Sequence, residues 1–459
     1  MLLCACACAT RRALLVTPQK LTAGARAPAT FITSVRVFDG EADHLLGPFD
    51  VLLDDGRIAA VTDPGTTQPP AGAERVDGKG KTLLPGLIDC HVHVGGGDGL
   101  PPWAGGIPNT DAQAAAMIYS GVTSALEAVR DANPDLIDQI ARGEKAGPRL
   151  VFASRAFTAP GGHPVGLYKA VVPWPAAGYI VDERVAQVAT PEDARNQVEK
   201  DLRDPRIRFV KLMADSLPPG APELAPEVLK AAIDETRLLG RRAIVHASDP
   251  AEAIAALEAG ASALMHVPWG RAFTRDEVQK LRATGAPVVT TVRFPGALTE
   301  GMHGVPELSP LERAVMPEGY EKAFREQPAH YNIPGFPESY LKDIPKMNEL
   351  IRANLKVLYE AGVPLLAGTD SGVPAMLHGA ALHRELQTLV QLGIPAWKAL
   401  RMATSEAAHF LQPAADYGRI GRGMRADLLL VEGDPLADIT NTQRIVAVWQ
   451  DGRKVQRKK

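Results

Sequence analysis

Cysteine is scarce: the chain has four in 459 residues. Cys4, Cys6 and Cys8 stand in the opening MLLCACACAT and the fourth is Cys90, a distribution that excludes a disulfide framework. The CACAC run has the chemistry to hold a soft metal, but a disordered or targeting tail over residues 1–30 is the reading adopted. Long apolar runs are missing too; none approaches the ~18–20 residues of a membrane helix. A formal net charge of −3 leaves no excess of one sign to draw the chain to nucleic acid or a membrane surface. No GxGxxG or Walker-type glycine loop follows the first strand of the central segment. Thr10-Arg11-Arg12 has a faint twin-arginine look, and AGARA at 23–27 has the composition of a cleavage site. The apolar stretch between them is only Leu14 to Val16, against the ~7–15 residues of an export signal. A cytoplasmic protein is therefore expected, periplasmic or secreted being the alternative if this segment is an export signal.

What is present is ordinary for a folded enzyme: 46% hydrophobic and 22% charged residues, enough for at least two domains. Residues 31–62 carry short strand-like pieces, FITSVRVF, DVLLDDG and RIAAVT, joined by Gly/Asp turns. RADLLLVEGD and QRIVAVWQDGRKV, within 420–455, repeat that style. Neither end suffices alone, so a composite β-sandwich is expected from 31–84 plus 412–459, with the rest inserted between its halves. Within 85–411, apolar strands at 83–94, 121–128, 148–157, 208–215, 241–248, 262–268, 286–293 and 363–371 alternate with helical stretches such as PEVLKAAIDETRLLG. Eight strand–helix units predict an α/β fold, a distorted (β/α)8 TIM barrel; a doubly wound open sheet is the alternative. Residues 294–345 break the rhythm, being rich in Pro and Gly. They are expected to form an irregular, lid-like insertion.

The polar residues at the strand ends carry the functional signal. In PGLIDCHVHV, His91 and His93 are two apart, so on a regular strand they share a face, with Cys90 and Val92 on the other. Lys211 ends the fourth strand, His246 the fifth, His266 the sixth and Asp370 the eighth. Only eleven histidines exist, yet four fall where a barrel collects its catalytic groups. Burying imidazoles, an amine and a carboxylate among Val and Leu is costly unless they are paired or share a cation, and this donor set suits zinc. Lys211 has two readings: a salt bridge to Asp370 or Asp215, or an amine made neutral by burial and nearby positive charge. The neutral amine would capture carbon dioxide as a carbamate able to bridge two metals. Asp370 reads either as a turn residue in GTDSG or as a ligand that takes a proton from the attacking water. Asp249, in SDPAEA before a helical stretch, reads as an N-cap rather than an acid–base residue.

PGLIDCHVH, GVTSALE, VKLMAD, VHAS, MHV, AGTDSG and RIGRGMRADLLLVEGDPL together resemble the amidohydrolase superfamily over residues 31–455, most closely its prolidase-like and imidazolonepropionase-like branch. The resemblance implies two divalent ions, zinc expected. His91, His93 and Asp370 would hold the more buried ion, His246 and His266 the second, and carboxylated Lys211 would bridge them. PRLVFASRAFTAPGGHP is similar to that branch's third-strand segment, which makes His163 a candidate to contact the scissile carbonyl; GGHP departs from the expected GGHG. Arg293, Arg155 and Tyr168 are candidates for substrate binding, the two arginines as clamps for a carboxylate. No Glu follows His246 closely, a departure from the mononuclear deaminases that favours a two-metal amide hydrolase. The implied activity is hydrolysis of an amide in a dipeptide, Xaa-Pro or N-acyl amino acid, in a homo-oligomer acting on small molecules and not on nucleic acid or membranes. Lactones, carbamates, phosphotriesters or cyclic amides are alternative substrates for the same site, and a metal-free scaffold is a remote alternative.

Overall fold

A computed structural model describes residues 15–19, 26–104, 106–172, 175–327 and 336–458. Cys4, Cys6, Cys8 and most of the 1–30 segment lie outside the described residues, as do 328–335 of the proposed insertion. Among the described residues no helix is long and apolar enough to cross a membrane.

The central strands are β1 (Leu87–Val92), β2 (Val122–Glu127), β3 (Arg149–Thr158), β4 (Ile207–Met213), β5 (Arg242–His246), β6 (Ala263–Leu264), β7 (Val288–Val289) and β8 (Leu365–Leu366). They neighbour one another in chain order, and all their pairings are parallel. Backbone bonds from Cys90 N to Ala367 O (3.0 Å) and from His93 N to Ser371 O (2.8 Å) join the last strand to the first, so the sheet closes into a (β/α)8 barrel. β6 to β8 are shorter than the apolar runs suggest, but ladder bonds continue beyond them, from Met265 N to Val245 O and from Thr290 N to Leu366 O. Helices start where the sequence caps them: Thr190, Asp249 and Thr274 each form a capping box. Asp249 therefore caps Pro250–Glu258, its carboxylate accepting from Ala251 N at 2.8 Å.

Ile88, Cys90, Leu126, Ala153, Phe209, Ile244, Met265, Val289 and Leu366 fill the barrel, and Phe410, Leu411 and Tyr417 pack with them. Cys90 corrects the simple alternation. It packs inward with Ile88, while Val92 joins the outer layer. The register with β2 slips there, the four residues from Asp89 to Val92 of β1 lying opposite the three from Ala125 to Glu127 of β2. Such a bulge re-aims side chains, here at the residues that lead into the two histidines.

The chain ends share a separate eight-stranded sheet. Lys81–Pro85 pairs antiparallel with Leu428–Glu432, with Leu84 opposite Leu429, and this pairing ties the N-terminal strands to the C-terminal ones. The described residues of 294–345 prove largely helical, with helices Phe294–Met302, Pro310–Val315, Tyr320–Arg325 and the start of Glu338–Glu360. Composition concealed this because Pro295 and Pro310 occupy first-turn positions, where the missing N–H costs nothing. The segment is pinned by Glu312, which accepts from the Arg384 guanidinium at 2.7 Å, and by Ala323 O, which accepts from Trp103 Nε1 at 2.9 Å.

Candidate metal centre

One layer above the barrel filling, the polar residues converge. Lys211 lies two residues beyond inward-facing Phe209, and His246 two beyond Ile244. His91 Nε2 and His93 Nε2 are 3.3 Å apart, and both approach Asp370 Oδ1, at 3.4 and 3.1 Å. The His266 ring centre is 4.6 Å from that of His91 and 4.5 Å from that of His246. His163 stands at the far end of this row, 5.6 Å from His246. Asp370 sits at φ 62°, a left-handed conformation uncommon outside glycine and typical of functional sites. Its loop lies tight against β1: a Cβ on Gly368 would meet Val289 Cγ1 at 2.4 Å and His91 Cβ at 3.0 Å. Fully buried Asp89 fixes this junction, accepting from Thr369 N (3.0 Å), Thr369 Oγ1 (2.7 Å) and His91 N (3.1 Å).

Residues not singled out from the sequence orient the histidines. Asp131 Oδ2 accepts from His93 Nδ1 at 2.8 Å, which turns Nε2 toward Asp370. Asp131 Oδ1 accepts from Tyr168 OH at 2.7 Å and pairs with Arg184 at 3.2 Å. Thr291 Oγ1 bonds His266 Nδ1 at 2.9 Å, leaving Nε2 for the pocket. Carboxylate partners of this kind fix tautomer and ring direction, and losing one typically costs 10–100-fold in metal affinity or activity. Asp131→Asn should therefore lower divalent-ion affinity by about 10–100-fold with the fold intact, as read by chelator competition alongside circular dichroism.

The charge states suit a cation. Burial, reinforced by positive charge at Lys211, holds His91 well below the ordinary imidazole range. Burial does the same to His266, helped by His246. Both therefore keep a lone pair near neutral pH. Burial opposes protonation of His93 too, but its bonds to Asp131 and Asp370 raise it to about 10. A divalent ion among these groups would displace that proton. Burial pushes Lys211 down to about 8, against the pull of Asp370, Asp215 and Asp131. Those carboxylates act on it through space and not through a hydrogen bond, so the salt-bridge reading of Lys211 is not what the structure shows. The donor set fits a metal on further grounds. His91, His93 and Asp370 each offer a ligand atom, all within 4.8 Å of one another. Outside that set of ligand atoms, the buried atoms His91 Nδ1, His246 Nε2 and both oxygens of Asp215 have no aligned hydrogen-bond partner.

The three residues expected to contact substrate each have a partner within the chain. Arg155 is buried against Asp201, its guanidinium 2.6 Å from the carboxylate, and its Nη1 donates to Asp182 O at 3.0 Å. A bulge explains the turn: Phe209 pairs with Ala153 but Lys211 with Ala156, so β3 carries an extra residue at this point. Arg155→Ala should cost about 3–5 kcal/mol of stability, the usual result of breaking a buried pair, with KM unchanged for the folded fraction. Denaturant melts and steady-state kinetics read the two effects separately. Tyr168 spends its hydroxyl on Asp131. Arg293 is paired with Glu300 at 2.5 Å, and its backbone N–H donates to buried Glu385 at 2.8 Å. The structure adds an aromatic flank that sequence patterning did not reveal. Trp269 lies edge-on to His246 and His266 at 5.7 and 5.8 Å, and Phe336 lies 6.4 Å from His163.

A model of the amidohydrolase family matches residues 82–455, and the chain belongs to that family. It is a hydrolase acting on carbon–nitrogen bonds. Ochratoxinase of Aspergillus niger is 26% identical over 405 residues, covering 81% of this chain and 75% of that protein. A Xaa-Pro dipeptidase with bound methionine superposes with a TM-score of 0.75 at 22% identity, covering 93% of this chain and all (100%) of that one. A prolidase complexed with N-methylphosphonate-L-proline superposes with a TM-score of 0.76 at 24% identity, covering 94% and 100%. At these identities the two structures speak for the fold.

Proposed function

We propose that the protein hydrolyses the amide bond of a small dipeptide, Xaa-Pro substrate or N-acyl amino acid at a two-ion centre. The observation that carries the reading is the convergence of buried Asp370 and His91 with half-buried His93 in one cluster, flanked by His266 and His246. His91, His93 and Asp370 would hold one ion and His246 and His266 the other, with Lys211, carboxylated by carbon dioxide, shared between them. Such ions, zinc being the expected choice, would acidify a water and polarise the scissile carbonyl.

The chain's own groups supply the rest. Asp370 is held well below the ordinary carboxylate range: burial opposes this, but His91 and His93 outweigh it. It is therefore ionised near neutrality, able to accept the water's proton and return it to the leaving nitrogen. Burial brings His163 down to about 4, so it meets the substrate as a neutral ring whose N–H donates to the developing oxyanion. Arg293 is the remaining cationic candidate for a substrate carboxylate, with Glu300 as that carboxylate's competitor. The names of the relatives, ochratoxinase and Xaa-Pro dipeptidase, support an amide substrate.

The test is a panel of N-acyl amino acids and dipeptides, each beside its C-terminal amide, with lactones and carbamates as outgroups. Free acids should be turned over at least about tenfold faster than their amides, the discrimination expected from one charge-assisted contact worth about 1.5 kcal/mol. Equal rates would remove the carboxylate requirement, and turnover of only the outgroups would remove the amide assignment.

A further inference from the structure

Asp215 lies two residues past the end of β4, is 1% exposed, and has no hydrogen-bond partner at either carboxylate oxygen. Ala214 N donates to His246 O at 2.9 Å. That bond carries the β4–β5 ladder beyond β4 and ties residue 215 to the His246 backbone. Asp215 Oδ2 is 2.9 Å from His246 Nε2, which is itself buried and unpartnered. The two atoms are close enough to bond but not aligned to do so. A charged carboxylate buried without an aligned donor costs several kcal/mol, and a small turn of either group removes that cost.

We propose that Asp215 is the positioning residue for His246: its carboxylate accepts the Nε2–H and so fixes the tautomer whose Nδ1 lone pair is free for the pocket. The pairing has the same logic as Asp131 with His93, but the opposite ring nitrogen is bound, so the two histidines present different atoms. It rests on the two-ion reading above, and it assigns Asp215 to the half of the centre built by His246 and His266. His163, Ser248, Tyr340 and Lys211 also face this carboxylate; none of them has both an orphaned nitrogen and a contact below 3 Å to it.

Zinc affinities of chelator-stripped wild type, Asp215→Asn and Asp215→Ala, measured against a chromophoric competitor, test the assignment. Wild type should bind two ions. Asp215→Ala should weaken one of them by about 10–100-fold and leave the other within about threefold. Asp215→Asn, whose amide oxygen can still accept from Nε2, should fall between. Unchanged affinities in Asp215→Ala, or equal loss at both ions, would overturn the assignment. A wild type that binds fewer than two ions would overturn the two-ion reading instead. In that case, or if a variant fails to fold, nitrogen-15 NMR of the wild-type histidines decides. His246, identified by the signals lost in His246→Gln, should carry its proton on Nε2; a proton on Nδ1 would overturn the proposal.

Discussion

Asp370→Asn should reduce kcat/KM by about 10²–10⁴-fold, the usual contribution of a positioned acid–base group, while the protein keeps its fold and much of its metal. The choice of asparagine matters. Residue 370 sits at φ 62°, a conformation Asn tolerates far better than most residues, so the backbone should not move. The amide oxygen still accepts hydrogen bonds and remains a weak ligand atom beside His91 and His93, but the group can no longer take up a proton. Loss of turnover with retained metal therefore separates proton transfer from ligation. Single-turnover rates with metal analysis on the same sample provide the measurement, and wild-type rates in that variant would refute the role given to Asp370.

Lys211→Ala should lose more than the 10–100-fold that outer contacts cost and should regain part of its rate in acetate or propionate. Lys211 is 1% exposed, so truncation opens a buried space about the size of a short carboxylic acid, in the place where a carbamate would stand. The physical driver is the amine's position at about 8 rather than near 10.5. A downward shift enlarges the neutral fraction near neutrality, and only the neutral amine attacks carbon dioxide. Activation of the stripped wild type by zinc with bicarbonate should accordingly be faster at pH 8 than at pH 6. A Lys211→Ala variant that is inactive and insensitive to carboxylates, while folded, would contradict a bridging carbamate; full activity would remove Lys211 from the centre altogether.

The strands were legible because most are apolar runs that end in one or two polar residues. That break in pattern puts His246, His266, Lys211 and Asp370 at one end of a barrel from sequence alone. Bulges were not legible. In β1 and β3 an extra residue shifts the alternation, which turned Cys90 inward and carried Arg155 away to Asp201. Nothing in the composition of either strand marks that point. The orienting groups were hidden for another reason. Asp131 meets His93 across 38 residues of sequence and Thr291 meets His266 across 25, and an Asp or Thr after a strand has the same local signature whether it caps a helix or steers an imidazole. Position at a strand's C-terminal end was the one available clue. The helices of 294–345 were obscured by prolines: Pro295 and Pro310 begin helices instead of breaking them, and Pro345 is accommodated inside Glu338–Glu360.

Metal stoichiometry tests the account most directly. Purified protein, stripped with chelator and reconstituted with zinc and bicarbonate, should hold two ions per chain by elemental mass spectrometry. A folded chain that takes up none would contradict a centre built from His91, His93, Lys211, His246, His266 and Asp370.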